Sequence, residues 1–430
     1  MKLSWYINRL RSMEPAELAH RLTEKSRKIA SKRRHQGWTQ FPAAQVGSVV
    51  PGFAEQVRAA SPNQREAVSE ASQAILHGQY TALGQVWPRA DGSDVFPPER
   101  WRLDPVTGQL WPGPERYCFE VDFRHNGTRG DIKYVWEFNR LQFLPVLAAQ
   151  WVLSGDDDNI ATIERAIGSW YSANPPFGGV AWASGIEVAL RAISVILTLE
   201  LAGSRLSPKV IGQAGQILSA SRFWLKRFPS RFSSANNHLV AELAGEYLIG
   251  QAIGQPDTKA WQGLLAELGR QILPDGGGAE QTPTYAAFTA ELVLLAALAA
   301  RKDGMALPQA GAERLAAFHS FLAWIGPDAR FGDDDEGRVV TLGSEGDYQG
   351  SVGSAIAAFL GISSQLRSAQ DFRALLFGQP AQAVSPPKGL RIFEQTGLSV
   401  WRGQMSGHEA LLRFDHGPLG YLSIAAHGHA

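Results

Sequence analysis

The chain contains a single cysteine, Cys118, has no excess of either charge and lacks a long uninterrupted apolar run. One thiol excludes an intramolecular disulfide, and its apolar neighbours Tyr117 and Phe119 favour a buried structural cysteine over a nucleophile. The 41 basic and 41 acidic residues leave no overall basic footprint, so nucleic acid is not expected as a partner. Because no run reaches the ~20 apolar residues of a membrane helix, we predict no transmembrane segment.

The N-terminus carries no apolar core followed by a small-residue cleavage site, so it is not a signal peptide and a cytoplasmic location is expected. Apolar residues instead recur there at helical spacing, at Leu10, Met13, Leu18 and Leu22. This pattern predicts an amphipathic helix that packs on the body of the chain. Pro, Gly and Trp are scattered through the following residues, and 1–115 are interpreted as an arm that wraps around the rest.

Between residues 116 and 385 the pattern is almost wholly helical. Leu, Ala, Val and Trp recur at three- and four-residue spacing in Lys133–Ser154, Asn159–Ala173, Ser184–Gly203, Ser207–Arg227, Asn236–Gly250, Trp261–Leu273, Thr284–Arg301, Arg314–Gly326 and Ser351–Phe359. Short connections between such segments predict stacked helical hairpins, arranged either as a solenoid or as a closed α/α toroid. No fixed repeat period is present, which disfavours a simple solenoid.

After Pro387 the pattern changes to short apolar segments separated by Gly, Pro and Ser, which predicts strands at Gly397–Gly403, Glu409–Asp415 and Leu419–Ala425. The pair Ser406-Gly407 is suited to a hairpin turn. Three strands cannot close a sandwich. Residues 386–430 are therefore interpreted as the beginning of a β-domain that is incomplete.

The first candidate motif is SSANNHL, which begins at Ser233. Locally it indicates a helix N-terminus capped by Ser234 or Asn236. The adjacent Asn237 and His238 also suit catalysis, because an amide can donate to a substrate carboxylate and imidazole titrates near neutral pH. The two interpretations are compatible.

The second candidate motif, DGGGAEQTPTY, runs from Asp275 to Tyr285. Three glycines predict a mobile loop, with the next helix beginning at Thr282 or Pro283 and Tyr285 in its first turn. Tyr285 is then either a core residue or a proton donor, and as tyrosinate a base if nearby cations lower its pKa from about 10. No strand precedes the glycines, so a nucleotide-binding loop is disfavoured.

Two further motifs have both a structural and a chemical interpretation. The four carboxylates of 333–336 indicate a solvated turn, although a pair of them would also provide the acid and base of a glycoside hydrolase. His427 and His429 are two residues apart and would lie on one side of a strand. That arrangement suits one metal ion or one substrate, and the alternative is a disordered tail.

A basic and aromatic set runs through the predicted helices: Lys133, Trp136, Asn139, Arg140, Trp182, Glu187 and Arg191. Helical spacing places Trp136, Asn139 and Arg140 on one face. A sugar-binding cleft would use such residues, with Trp stacked on sugar faces and Arg paired with carboxylates. Buried ion pairs and core tryptophans account for the same set.

In order along the chain, the segments DIKYVWEFNR, NPPFGGVAWASGIEVALR, SSANNHL, DGGGAEQTPTY, GDDDEGR and LGYLSIAAHGHA resemble the heparinase II/III-type polysaccharide lyases and the oligoalginate lyases. The opening INRLRSMEPAELAHRL is similar to members found with bacterial exopolysaccharide systems. The resemblance implies a mainly α chain, an incomplete (α/α) toroid followed by an antiparallel β-sandwich. It also implies cleavage of a uronate-containing acidic polysaccharide by β-elimination.

The resemblance assigns roles to individual residues. Asn237 and His238 would bind the substrate carboxylate and assist proton abstraction, and Tyr285 would protonate the leaving oxygen. His427 would lie at the reacting sugar, and His429 would be a ligand of a structural zinc whose other ligands lie beyond Ala430. The elimination itself would require no cofactor. The candidate substrate-binding residues are Trp136, Asn139, Arg140, Trp182, Glu187, Arg191, Asn236 and Gln281.

Two other functions fit the same sequence. One is a glycoside hydrolase on a similar toroid that uses carboxylates of 333–336. The other is a non-catalytic protein that binds or assembles an exopolysaccharide, which the missing signal peptide and the incomplete β-domain favour.

Overall fold

The computed structural model describes residues 15–89, 95–123, 128–232, 235–327, 329, 331–332, 334, 337–341, 347–366, 371–378 and 382–418. The N-terminal part contains α1 (Pro15–Arg34), α2 (Phe53–Arg58), α3 (Pro62–Leu76) and a two-stranded ribbon of β1 (Thr81–Ala82) and β2 (Gln85–Val86). The body contains α4 (Ile132–Asn139), α5 (Phe143–Ser154), α6 (Asp157–Ala173), α7 (Gly185–Ala202), α8 (Pro208–Arg227), α9 (Asn237–Ala252), α10 (Thr258–Gln271), α11 (Pro283–Lys302), α12 (Gln309–Ile325), α13 (Tyr348–Leu360) and α14 (Phe372–Phe377). The C-terminal part contains β3 (Gly389–Phe393), β4 (Leu398–Met405) and β5 (His408–Asp415).

The body is built from two rows of alternating helices. In the inner row α5, α7, α9, α11 and α13 each pack against the next, and α6, α8, α10 and α12 lie outside them. The inner helices α7 and α11 are buried at nearly every position, whereas α6 and α10 bury one stripe. A helix that is apolar all round can only be stable inside such an assembly.

Helix α11 is the one helix among the described residues that is long and apolar enough to cross a membrane, judged by length and composition alone. Of its most apolar stretch, 94% is buried within the protein. That burial is the environment of a core helix.

The predicted helix Lys133–Ser154 is divided into α4 and α5. Leu141 adopts a left-handed backbone with φ 56° between them. The division places Pro145 in the first turn of α5. Because proline has no N–H to donate, it is tolerated in a first turn and would interrupt one continuous helix.

The N-terminal arm holds the two ends of the inner row. Helices α2 and α3 pack on α5, and α14 packs on both α13 and α2, with the rings of Phe53 and Phe372 5.8 Å apart. Just before α2 in the arm, Gly47 N–H donates to Ala252 O at 2.7 Å. The arm therefore links the first inner helix to the last through α14, and its residue 47 meets the C-terminal end of α9.

The C-terminal strands form an antiparallel sheet in the order β3-β4-β5. Met405 pairs with His408, and both turn residues have positive φ, 52° at Ser406 and 82° at Gly407. This is the geometry of a tight type I′ hairpin, so the predicted turn is confirmed. Strand β3 was not predicted, and the predicted strand Leu419–Ala425 lies outside the described residues.

One face of this sheet packs on the helical body. Phe393, Leu398 and Val400 are buried there, and the guanidinium groups of Arg402 and Arg413 donate to carbonyl oxygens at the end of α12, Ala323 O and Ile325 O. Basic groups at a helix C-terminus satisfy its free carbonyls. The opposite face exposes apolar side chains, namely Leu390, Ile392, Met405, Leu412 and Phe414.

Candidate functional site

The first candidate motif forms the N-terminus of α9. The side chain of Asn236 accepts from His238 N–H at 3.2 Å, so Asn236 is the cap, as one of the two alternatives predicted. Asn237 is the first helical residue and is 3% exposed, while His238 is half-buried. Ser233 and Ser234 lie outside the described residues.

The second candidate motif is a buried turn, and the prediction of a mobile loop is wrong. Gly276 has φ 101°, and a Cβ atom on it would lie 2.2 Å from Ala317 O. A Cβ atom on Gly277 would lie 1.9 Å from Thr396 Oγ1. The glycines are therefore required because the turn is wedged between α12 and the sheet, with no room for side chains.

Glu280, at the end of this turn, joins the two candidate motifs. Its Oε1 atom accepts from Asn237 N–H at 3.0 Å, and its two carboxylate oxygens lie 3.1 and 2.9 Å from Asn237 Nδ2. Glu280 is only 4% exposed. A buried carboxylate facing the first N–H of a helix is stabilised by that donor and by the positive end of the helix dipole.

Tyr285 lies in the first turn of α11, which begins at Pro283 as predicted. Its side chain is 8% exposed. Helices α9 and α11 pack side by side, and Glu280 holds the start of α9 against the segment that leads into α11. The amide and imidazole of 237–238 and the phenol of Tyr285 are therefore carried at the same end of two neighbouring helices.

Gln281 lies between these helix ends and the sheet. Its backbone is left-handed with φ 60°, a strained state for a residue with a side chain, of the kind that clusters at functional sites. The side chain is 8% exposed and lines a small, partly enclosed pocket. The pocket is bounded by Gly278, Gln281, Thr282, Pro283, Phe321, Phe331, Thr396, Leu398 and Asp415.

A buried carboxylate, Glu242, holds the chain just before the first motif. It accepts from Ser230 N–H at 2.6 Å and from Ser230 Oγ–H at 2.8 Å. Burial raises the pKa of Glu242 to about 8, although the hydrogen bonds from Ser230 act in the opposite direction. Gly185 faces this carboxylate, and a Cβ atom there would lie 2.1 Å from Glu242 Oε1.

Most of the predicted basic and aromatic set lies in the core. Asn139 is fully buried, donates to Trp101 O and Val135 O, and accepts from Trp170 Nε1. Trp182 is fully buried and donates to Asn174 O at 3.0 Å.

The guanidinium of Arg191, also fully buried, lies 4.4 and 5.0 Å from the ring centres of Trp170 and Trp182. These are the contacts of core tryptophans stacked on a cation, the alternative interpretation of the set.

Arg140 and Glu187 form a buried ion pair. Arg140 Nε lies 2.7 Å from Glu187 Oε2, and Nη2 lies 3.0 Å from Oε1, in the two-pronged geometry typical of this pair. Glu137 contacts the same guanidinium. Trp136 is half-buried and donates to Val180 O at 3.1 Å.

Several predicted residues lie outside the described part of the chain. These are His427, His429, Asp333, Asp335 and Glu336, whereas Asp334 is described and exposed. Among the described residues no group of three His, Cys, Asp or Glu side chains is placed to hold a metal ion.

Cys118 is buried, as predicted, and burial raises the pKa of its thiol, which disfavours the reactive thiolate.

Comparison with known proteins identifies the fold. No family model matches the chain, and no curated protein sequence matches it. The structure of heparinase III aligns with 85% of this chain at a TM-score of 0.50 and 16% identity. This chain shares the fold of heparinase III. The predicted mainly helical toroid, followed by an antiparallel sheet, is therefore confirmed.

Other polysaccharide lyases are similar at lower scores. Heparan sulfate lyase HepC from Pedobacter heparinus aligns with 86% of this chain at a TM-score of 0.49 and 15% identity. An alginate lyase from Bacteroides ovatus aligns with 73% of this chain and 91% of its own length, at a TM-score of 0.39 and 16% identity. The chain spans 61% of the heparinase III structure and 56% of HepC.

Sequence reasoning missed Glu280, Glu242 and Asp275. All three are carboxylates that accept hydrogen bonds from residues 12 to 121 positions away in the sequence. The available signal at Glu280 was an acidic residue shortly before a predicted helix start, which by itself indicates only favourable first-turn electrostatics.

Proposed function

We propose that this chain is a polysaccharide lyase that cleaves a uronate-containing acidic polysaccharide by β-elimination. The observation that carries the proposal is the set of three hydrogen bonds between Glu280 and Asn237. They hold together two motifs that were selected independently in the sequence, one with Asn237 and His238 and the other with Tyr285. The fold shared with heparinase III supports the same reaction class.

The chemistry needs a base, an acid and a donor for the charge that develops. In the proposed reaction His238 or Tyr285 removes the proton on C5 of the uronate, and the C5–H electron pair moves toward the adjacent carboxylate to give an enolate-like intermediate. The amide of Asn237 donates to that carboxylate and stabilises its charge. The intermediate then collapses to a C4–C5 double bond, the C4–O4 bond breaks, and Tyr285 protonates O4. No step is assigned to a metal ion.

Of the other candidate substrate-binding residues, Trp136 is half-buried, and Asn236, Gln281 and Arg140 are 5%, 8% and 8% exposed. We retain them as substrate contacts. The buried Asn139, Trp182, Glu187 and Arg191 would support the body from within. His427 and His429 keep the roles that the family resemblance implies, at the reacting sugar and at a structural zinc.

The test is product analysis on a panel of uronate polymers. We expect an ultraviolet-absorbing product with a C4–C5 double bond, and we expect Tyr285→Phe and His238→Ala to lower kcat by about 10²–10⁴-fold. The matched control is Tyr247→Phe, a buried tyrosine on α9 whose hydroxyl accepts from Gln251, and its turnover should stay near that of the wild type.

Two outcomes would contradict the proposal. Cleavage into saturated products that persists in Tyr285→Phe would indicate a hydrolase. Binding of a polysaccharide without turnover, equal in wild type and Tyr285→Phe, would indicate a non-catalytic binding protein.

A further inference from the structure

A buried carboxylate controls which way the candidate donor Asn237 faces. The amide of an asparagine can rotate by half a turn about its Cβ–Cγ bond into a second orientation of similar shape. The rotation exchanges the NH₂ group and the carbonyl oxygen, so a neighbouring group meets a donor in one orientation and an acceptor in the other. Because Glu280 offers only acceptors to Asn237 Nδ2, at 3.1 and 2.9 Å, the NH₂ group must face Glu280. The side chains of Asn237 and Glu280 are 3% and 4% exposed, so water does not replace this contact freely.

We propose that Glu280 is a positioning residue for the elimination, because it fixes the amide of Asn237 with its nitrogen available as a donor. This inference rests on the proposed function. The NH₂ group has two hydrogens, so one can remain on Glu280 while the second meets the substrate carboxylate. Glu280 also accepts from Asn237 N–H at 3.0 Å, which fixes the backbone from which the side chain extends. A donor held in place before the reaction stabilises developing charge without a reorganisation cost.

Glu280 lies where the end of a helix stabilises a carboxylate. Glu280 faces the N-terminus of α9, where free N–H groups and the helix dipole favour a carboxylate. Its charge is therefore directed toward the helix end and the Asn237 amide. Glu280 follows directly on the tightly packed turn that contains Gly276–Gly278, and it is itself 4% exposed.

The first experiment compares Glu280→Gln with Glu200→Gln. Glutamine at 280 has a single acceptor oxygen and brings an NH₂ group toward Asn237, so Asn237 turns its carbonyl to accept from that group. The donor to the substrate is lost, and kcat should fall by about 10²-fold, the typical effect of removing one preorganised donor, with little change in KM.

Glu200 is a matched control because its carboxylate also accepts three hydrogen bonds, from Ser48 Oγ, Val49 N and Val50 N. It lies at the C-terminal end of α7, where the arm also meets the C-terminal end of α9. The 16 residues of α9 place that end about 24 Å from Asn237. Glu200→Gln should therefore lower the unfolding temperature without lowering kcat.

The second experiment separates positioning from stability. In the double variant Asn237→Asp with Glu280→Gln, the glutamine NH₂ donates to the aspartate and its oxygen accepts from the backbone N–H. The hydrogen bonds are restored, so the unfolding temperature should recover relative to Glu280→Gln alone. Residue 237 then presents acceptors only, so turnover should not recover. If activity returned together with stability, a donor at residue 237 would not be needed and the inference would be overturned.

The possible failures can be distinguished. If the wild type forms the unsaturated product and Glu280→Gln keeps its kcat, the inference is overturned and the proposed function stands. If the wild type forms no unsaturated product on any polymer, the proposed function fails. The contact between Asn237 and Glu280 is then tested by the free energies of unfolding of Asn237→Ala, Glu280→Gln and the double variant. Additive losses in the double variant would show that the two side chains do not interact.

Discussion

Thr396 donates its hydroxyl to Asp275 Oδ1 at 2.7 Å, and the two residues are 121 positions apart. Asp275 Oδ2 also accepts from the backbone N–H groups of Gln395 and Thr396, at 2.8 and 2.9 Å. One carboxylate thus holds the β3–β4 turn onto the glycine turn that leads to Glu280. The sheet is in this way tied to the same segment that carries the candidate site.

We expect Asp275→Ala to destabilise the protein by about 1–3 kcal/mol, the usual cost of leaving partly buried donors unpaired. Urea unfolding followed by tryptophan fluorescence measures the loss. Asp303→Ala is a suitable control, because Asp303 follows the end of α11 and is exposed. An equal and small loss in both variants would show that the hydrogen bonds of Asp275 with Gln395 and Thr396 contribute nothing to stability.

Two glycine substitutions should have opposite effects. In Gly277→Ala the new Cβ atom would lie 1.9 Å from Thr396 Oγ1, so the turn or the sheet must shift, and a loss of about 1–3 kcal/mol is expected. Gly269 lies within α10 with nothing within 4 Å of an added Cβ atom. Gly269→Ala should therefore stabilise by about 0.5–1 kcal/mol through helix propensity. Thermal unfolding of both variants measures these changes in stability. An unchanged stability in Gly277→Ala would contradict the close contact between Gly277 and Thr396.

Glu187→Ala tests whether the ion pair with Arg140 is structural. Removing one partner leaves a buried guanidinium with less compensation, and a loss of about 3–5 kcal/mol is expected. The control is Asp157→Ala, which breaks an ion pair with Arg205 whose side chains are 63% and 52% exposed and should cost about 0–1 kcal/mol. Comparable small losses, together with a raised KM for a uronate polymer in Glu187→Ala only, would assign Glu187 to the substrate site.

Glu242 should make the protein less stable as the pH rises. In the unfolded chain its carboxyl titrates near 4.5, whereas burial raises the folded-state pKa to about 8. Between these values the folded state keeps a proton that the unfolded state has released, so stability falls with rising pH, by up to about 1.4 kcal/mol per pH unit.

Urea unfolding of wild type and Glu242→Gln at pH 5, 6, 7 and 8 checks this expectation. Glu246, whose pKa is raised to about 7 chiefly by burial, contributes a similar slope to both proteins. The difference between the two curves therefore reports Glu242 together with its charge interaction with Glu246. Parallel curves would show that Glu242 ionises normally in the folded protein.

Local signals predicted much of the fold. The spacing of apolar residues predicted the helices of the body except the short α14. The Asn236 cap, the Pro283 helix start and the Ser406-Gly407 turn all depend on chemistry within a few residues. The error at Lys133–Ser154 had a local cause too, because the position of Pro145 was not used to divide the segment.

Long-range contacts escaped the sequence analysis. Glu280 bonds to a residue 43 positions away and Asp275 to one 121 positions away. No helical period or turn signal relates such positions. The glycines before Glu280 were interpreted as a mobile loop because a sequence does not reveal which distant atoms will approach them, here the backbone of Ala317 and the side chain of Thr396.

By itself the sequence determined a mainly helical body, a change to strands near residue 387 and the residues that begin α9 and α11, since spacing and capping act over one or two turns. Only the tertiary structure decided which chemically suitable residues share a site. Trp182 and Arg191 pack in the core, whereas Asn237 meets Glu280 at a helix end. The physical reason is that burial and pairing depend on how whole helices pack, and that packing sums many weak contacts between distant parts of the chain.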